Sequence, residues 1–347
     1  MKDRVALGLF SGGLDSILAC RVVADQGVRV VALKFVTPFF DHDLLFRSTE
    51  YSESMRRLYG LDVAVVDISE GYLRLLDNPA HGFGKHFNPC IDCKILMLTR
   101  ARQLMPSYGA SFLITGEVLG QRPMSQRRDT LRVIERDAGC EGVLLRPLSA
   151  KLMAPIQAEL EGLVDRERLF AFSGRSRRKQ KLLAAQLGII EYPTPAGGCM
   201  LTDPNLAVRI KHFYNGLFSF GEQRAVGDLR LLAVGRQFKL DDKTWFILGR
   251  NEQENERLEA LRGPEDWLLR MTGHPGPLGL LRHARVTVAG TNREAALVRQ
   301  LAGLVVRFGK KVEGGTPDAE VLIDKGDVCE HDVFSALVDD EFASWRI

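Results

Sequence analysis

A glycine turn near the start of the chain constrains the fold more than any other stretch. Val5–Phe10 is a short apolar run, Ser11-Gly-Gly-Leu-Asp-Ser16 follows at once, and apolar residues at helical spacing run through Ser16–Asp25. A short run without polar alternation reads as a strand buried on both faces. A strand that enters a helix through such a turn opens a β-α unit, whose next strand runs parallel to the first. The glycines let the backbone approach an anion closely, and the amides of the turn and helix start then point at it. The turn predicts a phosphate cradle. It is not the GxxxxGK[ST] loop, because no lysine follows the glycines.

The same rhythm continues to about residue 150. Val28–Phe35 reads as a second buried strand, Thr49–Tyr59 as a helix and Asp62–Asp67 as a third strand. Asn88–Pro89 is a break, Cys93–Leu104 carries a helical pattern, and Phe112–Thr115 is a strand ending at Gly116. This order predicts an α/β fold, a doubly wound parallel sheet with helices on both faces. Ligands of such sheets bind at the carboxyl ends of the strands, where both Ser11–Ser16 and Thr115-Gly116-Glu117 fall. Pro147 and Pro155 then flank a connector, and Leu152–Leu163 and Arg177–Leu187 read as helices. Residues 191–200 form a loop rich in proline and glycine, and a helix is expected over Asn205–Tyr214. After Gly216 the texture changes to short strands and turns (Leu229–Phe238, Thr244–Gly249), a helix at Glu252–Leu261 and a β/α pattern resuming at Val286–Val288. The expected organisation is a domain over 1–214 and a smaller α+β domain over 215–347.

Composition narrows the class. A chain of 347 residues suggests two or three domains, and 45% hydrophobic with 26% charged residues excludes wholesale disorder. Apolar stretches such as Val28–Val36 are broken by Arg29 and Lys34 and are shorter than the roughly 20 residues a bilayer demands. Met1-Lys-Asp-Arg leads straight into the first strand, which is neither signal peptide nor anchor; no membrane and a cytoplasmic location are expected. A net charge of +3 neither demands nor excludes nucleic acid. In a reducing compartment the 6 cysteines are not a disulfide framework, and the C-x-x-C pair Cys90/Cys93 raises metal or redox chemistry instead.

The string SGGLDS has the form SGGxDS and resembles the signature of the PP-loop ATP pyrophosphatases. That resemblance implies that Ser11, Gly12, Gly13, Asp15 and Ser16 hold ATP, that Asp15 helps to bind Mg²⁺, and that ATP is split between its α- and β-phosphates to adenylylate an oxygen. Thr115-Gly-Glu-Val-Leu-Gly-Gln121, followed by Ser125-Gln126, resembles the bacterial 4-thiouridine tRNA sulfurtransferases, a PP-loop family, as does Arg146-Pro-Leu148. By this resemblance Gly116, Glu117 and Gln121 sit near the nucleotide or the target base. The motif order holds over residues 4–213; because the PP-loop begins at once, the expectation is a chain without the RNA-binding extension that precedes it in those synthases.

Asn88-Pro-Cys-Ile-Asp-Cys93 resembles the NPxxxC element of the tRNA 2-thiouridylases. Cys93 takes their catalytic position, and Cys199, after Gly197-Gly198, resembles their second cysteine. The added Cys90 makes three cysteines, similar to the cluster-dependent tRNA thiolation enzymes, where three thiolates hold a 4Fe-4S cluster and the fourth iron stays open to sulfur. A persulfide–disulfide relay needs only Cys93 and Cys199. Cys20 lies in an apolar helix and reads as core.

Two basic features point to RNA. Ser173–Lys181 carries Arg175, Arg177, Arg178, Lys179 and Lys181 with no acid among them, and Arg122, Arg127 and Arg128 lie beside the second motif. Such clusters neutralise phosphates, although a charge run is also what a solvated helix face looks like. Farther on, Gly235-Arg-Gln-Phe238 and Gly249-Arg-Asn-Glu-Gln-Glu-Asn255 are similar to the core of the NFACT RNA-binding domain. That likeness implies RNA contact or domain packing for Arg236, Arg250 and Asn251, and Asn251 or Asn255 is placed to cap the following helix. The combined expectation is an ATP-dependent tRNA sulfurtransferase, 4-thiouridine favoured, with tRNA and a sulfide or persulfide donor as partners. The rivals are a PP-loop enzyme acting on a small molecule and a non-catalytic RNA-binding or iron–sulfur sensor protein.

Overall fold

In the first β-α unit, β1 (Val5–Leu9) runs into α1 (Leu14–Ala24), which packs Ile17, Leu18 and Val23 into one buried cluster with Ala6, Val30, Phe112 and Ile114. Gly8 is required there, because a Cβ on it would lie 2.6 Å from Cys20 Sγ. Cys20 is 1% exposed, as a core residue should be. The computed structural model describes residues 4–194, 199–218, 225–310 and 318–347. They divide into two compact units, Met1–Thr202 and Asp203–Ile347.

The first unit continues with β2 (Arg29–Val36), α2 (Ser48–Tyr59), β3 (Asp62–Asp67), α3 (Ser69–Asp77), α4 (Cys90–Tyr108), β4 (Phe112–Thr115), α5 (Arg128–Asp137), β5 (Leu144–Leu145), α6 (Gln157–Leu160) and α7 (Arg178–Gln186). Its sheet is entirely parallel in the order β3-β2-β1-β4-β5. The chain leaves β1 toward β2 on one side and returns to β4 on the other. The carboxyl end of β1 therefore stands at the topological switch point, where a doubly wound sheet opens a crevice for ligand. Leu9 is in register with Thr115, so the Ser11–Ser16 turn and the Gly116 turn emerge side by side.

The second unit holds α8 (Pro204–Tyr214), α9 (Val226–Leu232), β6 (Arg236–Asp241), β7 (Thr244–Leu248), α10 (Glu252–Leu261), β8 (Trp267–Met271), β9 (Gly279–Leu281), α11 (Ala284–Thr287), α12 (Glu294–Arg307), β10 (Ala319–Asp324), β11 (Cys329–Phe334) and α13 (Asp339–Phe342). Its sheet is antiparallel, in the order β11-β10-β8-β9-β7-β6. Helix α12 buries Leu297, Leu301, Leu304 and Val305 in a cluster with Trp267, Leu269, Val321 and Ile323.

Several local expectations change. Helix α8 groups with the second unit, so the division falls at Thr202/Asp203 rather than at 214/215. The helix expected over Leu152–Leu163 shrinks to α6, bounded by Pro155 and by Gly162 at φ +67°. The strand expected over Leu229–Phe238 is instead α9, a turn at Gly235 with φ +67°, and then β6. The Val286–Val288 stretch falls at the end of the short helix α11 rather than in a strand. Helices α3, α5 and α12 had no sequence expectation. In α5 only Leu131 and Ile134 are buried, too thin an apolar stripe to stand out.

Candidate functional site

The anion turn is built by its own hydroxyls. Ser16 Oγ donates to the Gly13 carbonyl at 2.8 Å, Ser11 Oγ and Ser16 Oγ lie 3.2 Å apart, and the Gly13 N–H donates to Ser11 Oγ at 3.3 Å. Gly12 sits at φ +82°, and Gly13 is the N-cap of α1. Lys34, which the sequence analysis noted only as a charge in an apolar run, proves to be part of this turn. It is 4% exposed, and its Nζ donates to Ser11 O at 2.8 Å and to Asp41 Oδ2 at 2.6 Å. A charge on a fully buried strand had no sequence signal beyond its incongruity.

Asp15 opens α1 beside the turn. Its Oδ2 accepts from Gln121 Nε2 at 2.6 Å and lies 3.4 Å from Arg177 Nη2, while Oδ1 is buried with no hydrogen-bond partner. An orphaned buried carboxylate oxygen is rare and marks a place for a cation or water. That oxygen at an anion-binding turn fits the Mg²⁺ that accompanies a nucleotide.

The second turn is pressed against the first. A Cβ on Gly116 would stand 2.5 Å from the Asp15 carbonyl carbon and 2.6 Å from Ser16 N, so only glycine allows this approach. Glu117 is 3% exposed and turns into the protein, where it accepts from Arg146 Nε at 3.2 Å and Thr115 Oγ1 at 3.1 Å and pairs with Lys94 Nζ at 3.2 Å. Arg146 also donates to Glu135 at 2.7 Å. Burial pushes the Glu117 carboxyl up, but Lys94 and Arg146 outweigh it and hold it below its ordinary value. Glu117 thus braces the turn from behind. The Thr115–Glu117 and Arg146–Leu148 strings are two ends of one ion-pair network.

The cysteines converge. Cys90 and Cys93 lie on the first turn of α4, and Cys90, Cys93 and Cys199 are within electrostatic reach of one another and of Tyr72. Burial pushes the Cys93 thiol up to about 12, opposed by the Tyr72 hydroxyl, which donates to it, and by Lys94. Burial also raises Cys199. Asn88 Nδ2 donates to Cys90 Sγ at 3.0 Å. Tyr72, 1% exposed on α3, is a site residue that no sequence signal marked. Gly197 and Gly198 lie outside the described residues. Among the described residues no three His, Cys, Asp or Glu side chains stand as a metal-holding group. The donor set itself, three thiols, is the chemistry that iron–sulfur clusters use.

The basic run is divided. Arg175, Arg178, Lys179 and Lys181 are exposed, but Arg177 turns toward Asp15. Arg122, Arg127 and Arg128 are exposed; Arg127 pairs with Asp129 at 3.3 Å and Arg128 donates to Leu152 O at 3.2 Å. In the second unit Arg236 lies over the Phe308 ring at 4.6 Å and donates to Gly249 O at 3.2 Å, and Arg250 donates to Glu254 at 2.9 Å. Asn251 caps α10 through Glu254 N at 3.0 Å, and Asn255 accepts from Leu278 N at 2.9 Å. All of these bonds join parts of the second unit to each other.

Residues 2–152 match the family model described as thiamine biosynthesis protein (ThiI). The first unit carries a ThiI-type PP-loop domain. Residues 235–346 match the model of the NFACT protein RNA binding domain. The ThiI-type domain contains both turns, Cys90 and Cys93, and the Lys94–Glu117–Arg146 network; Arg177 and Cys199 lie beyond its matched span. No curated protein matches the chain. Among solved structures, a 4-thiouridine synthetase–RNA complex with bound ATP is 20% identical, with 54% of this chain and 52% of that one covered and a TM-score of 0.34. The chain thus spans about half the length of that synthetase. A predicted subunit of tRNA methyltransferase from Methanocaldococcus jannaschii is 15% identical (61% and 89% covered, TM-score 0.34). The C-terminal part of a fibronectin/fibrinogen-binding protein from Streptococcus suis is 10% identical (96% and 96% covered, TM-score 0.27). These structural likenesses are too low to carry an argument. No helix among the described residues is long and apolar enough to cross a membrane.

Proposed function

We propose that the chain is an ATP-dependent tRNA sulfurtransferase that turns a tRNA uridine into thiouridine, 4-thiouridine by preference, through Cys90, Cys93 and Cys199. One observation carries this reading. The anion turn and the cysteine helix are joined by a single run of contacts, from Asp15 and Ser16 to Gly116, and through Glu117 and Lys94 to Cys93. Activation and sulfur delivery must act on the same carbon, and this run, which links the glycine turn to the start of the cysteine helix, supports a reading in which one site does both.

The uridine carbonyl oxygen attacks the α-phosphate, pyrophosphate leaves, and a poor leaving oxygen becomes AMP. The amides of Gly12 and Gly13 and the start of α1 would hold the phosphates, and Asp15 Oδ1, buried without a hydrogen-bond partner, would help to hold the accompanying Mg²⁺. Sulfide then attacks the activated carbon, AMP leaves with the bonding electron pair, and loss of the proton gives the C=S group. The outer sulfur of a persulfide attacks in the same way and is released when a second thiol closes a disulfide on the inner sulfur. Cys90, Cys93 and Cys199 are the residues that would hold a 4Fe-4S cluster, whose chemistry is to carry that sulfur on an open iron. A second reading is a persulfide–disulfide relay through Cys93 and Cys199, which lie within electrostatic reach of one another. We assign the first unit, residues 1–202, to catalysis and the second, residues 203–347, to RNA binding, with Arg122, Arg127, Arg128, Arg175, Arg178, Lys179 and Lys181 on tRNA phosphates, in the cytoplasm.

The test is anaerobic reconstitution, with iron and sulfide assays on wild type and on Cys90→Ala, Cys93→Ala and Cys199→Ala. About four irons per chain, lost in each variant, supports the cluster. No iron, with Cys90→Ala fully active, leaves the relay. Pyrophosphate release that does not require tRNA sinks the tRNA reading and favours a small-molecule substrate.

A further inference from the structure

The five cations of residues 175–181 look alike in sequence, but one of them is built into the first unit. Arg177 Nη2 lies 3.4 Å from Asp15 Oδ2, and among the described residues Asp15 is the one carboxylate within ion-pair distance of it. The segment that carries Arg177 is held by a series of partly buried ties. Ser149 Oγ donates to Phe172 O at 2.7 Å and accepts from Leu119 N at 3.0 Å. Gly174, at φ +82°, donates its N–H to Leu119 O at 2.8 Å. Gln180, 1% exposed, donates to Gln121 Oε1 at 2.9 Å, and Gln121 donates in turn to Asp15. Helix α7 packs directly on α1, the helix that the anion turn opens.

A solvated face that only meets RNA needs none of this fixing. The ties place one guanidinium at the mouth of the anion turn. Arg178, Lys181 and Leu182 line, with Arg177, a shallow open depression beside it.

We infer that Arg177 is a ligand of the ATP phosphates rather than an RNA contact, held ready by Asp15 and by the Gln121–Gln180 strut; this rests on the proposed use of ATP. The contact with Asp15 is a resting one. At 3.4 Å it is longer than the 2.7–2.9 Å of a strong charge-assisted bond, and Asp15 Oδ2 already accepts from Gln121. A planar fork with five N–H donors retains donors for oxygens of the β- and γ-phosphates. As the bond from the uridine oxygen to the α-phosphorus forms, the bond from that phosphorus to the oxygen bridging to the β-phosphate breaks. The electron pair leaves with pyrophosphate, and the guanidinium meets the charge that develops there.

The test compares MgATP, AMP and tRNA binding by wild type, Arg177→Ala, Arg177→Lys and the double variant Arg178→Ala/Lys181→Ala, by equilibrium dialysis and gel shift at fixed salt. For Arg177→Ala, ATP affinity falls at least about tenfold, while AMP and tRNA change less than about twofold. The double variant shows the reverse, and Arg177→Lys lies between. Equal losses for ATP and AMP mean that Arg177 only shapes the pocket and overturn the inference, as does a loss for tRNA exceeding that for ATP. If Arg177→Ala does not fold by circular dichroism, Arg177→Gln, which keeps a donor without the charge, takes its place. A wild type that binds ATP through Arg177 but never binds tRNA defeats the tRNA reading and leaves this inference standing. A wild type that binds no ATP overturns both.

Discussion

Replacing Glu117 with glutamine tests whether the brace behind the second turn is a charge network or merely a filled space. Glu117 faces Arg146 Nε at 3.2 Å and Lys94 Nζ at 3.2 Å, and both Glu117 and Arg146 are almost fully buried. Removing one member of a buried pair costs about 3–5 kcal/mol, because the other charge is left uncompensated. Arg146 keeps Glu135 at 2.7 Å, and glutamine keeps an acceptor for Thr115, so the expected loss is about 2–3 kcal/mol. At a urea m-value of about 2–3 kcal/mol/M, the midpoint falls by about 1 M. Far-UV circular dichroism follows the transition. Trp245, Trp267 and Trp345 all belong to the second unit, so tryptophan emission reports that unit separately. The carboxyl of Glu117 is lowered in the folded state, so its stabilisation is full above the unfolded value and is lost as pH falls through the folded one. The gap between wild type and Glu117→Gln is therefore constant between pH 7 and 5 and closes below the ordinary value of 4.5. A midpoint shift under about 0.3 M at pH 7 would refute the charge network, as would a gap unchanged in acid.

Other outcomes follow from single positions. Gly116→Ala drives a Cβ to 2.5 Å from the Asp15 backbone, so MgATP binding is lost; equilibrium dialysis showing wild-type affinity contradicts the close approach. Gln237→Leu deprives Leu231 O of a donor at 2.9 Å and Trp245 Nε1 of an acceptor at 2.7 Å, both buried. The cost is about 2–4 kcal/mol and a Tm lowered by about 5–10 °C in tryptophan emission, and a fall under about 2 °C contradicts the pairing. At pH 8 iodoacetamide labels exposed Cys329 but spares Cys20, whose thiol burial pushes up to about 12. Mass spectrometry finding Cys20 labelled as fast as Cys329 rejects that burial.

Much of the first unit was readable without coordinates. The strands Asp62–Asp67 and Phe112–Thr115 fall where apolar period and turn residues put them, as does the helix Glu252–Leu261 in the second unit. Those signals are local: a few neighbouring residues decide whether a segment can bury one face. Where the pattern was thin or ambiguous, as in the mostly polar α5 or the leucine-rich α9, local reading failed, because only packing partners elsewhere choose between helix and strand.

The site divides along the same line. The glycine turn at Ser11–Ser16 is a property of six consecutive residues, and the sequence alone determined it, whereas the choice of Asn251 over Asn255 as the cap of α10 was made by the fold. Tertiary structure decided which way each side chain faces. Gln121 meets Asp15 across 106 residues, Arg146 finds Glu117 across 29, and Arg177 leaves its basic neighbours for the nucleotide turn. Charge and residue type are written in the chain, but burial and partner are not. A carboxylate in water and one held between Lys94 and Arg146 have the same letter, and only the desolvation and pairing imposed by the folded sheet make them different groups.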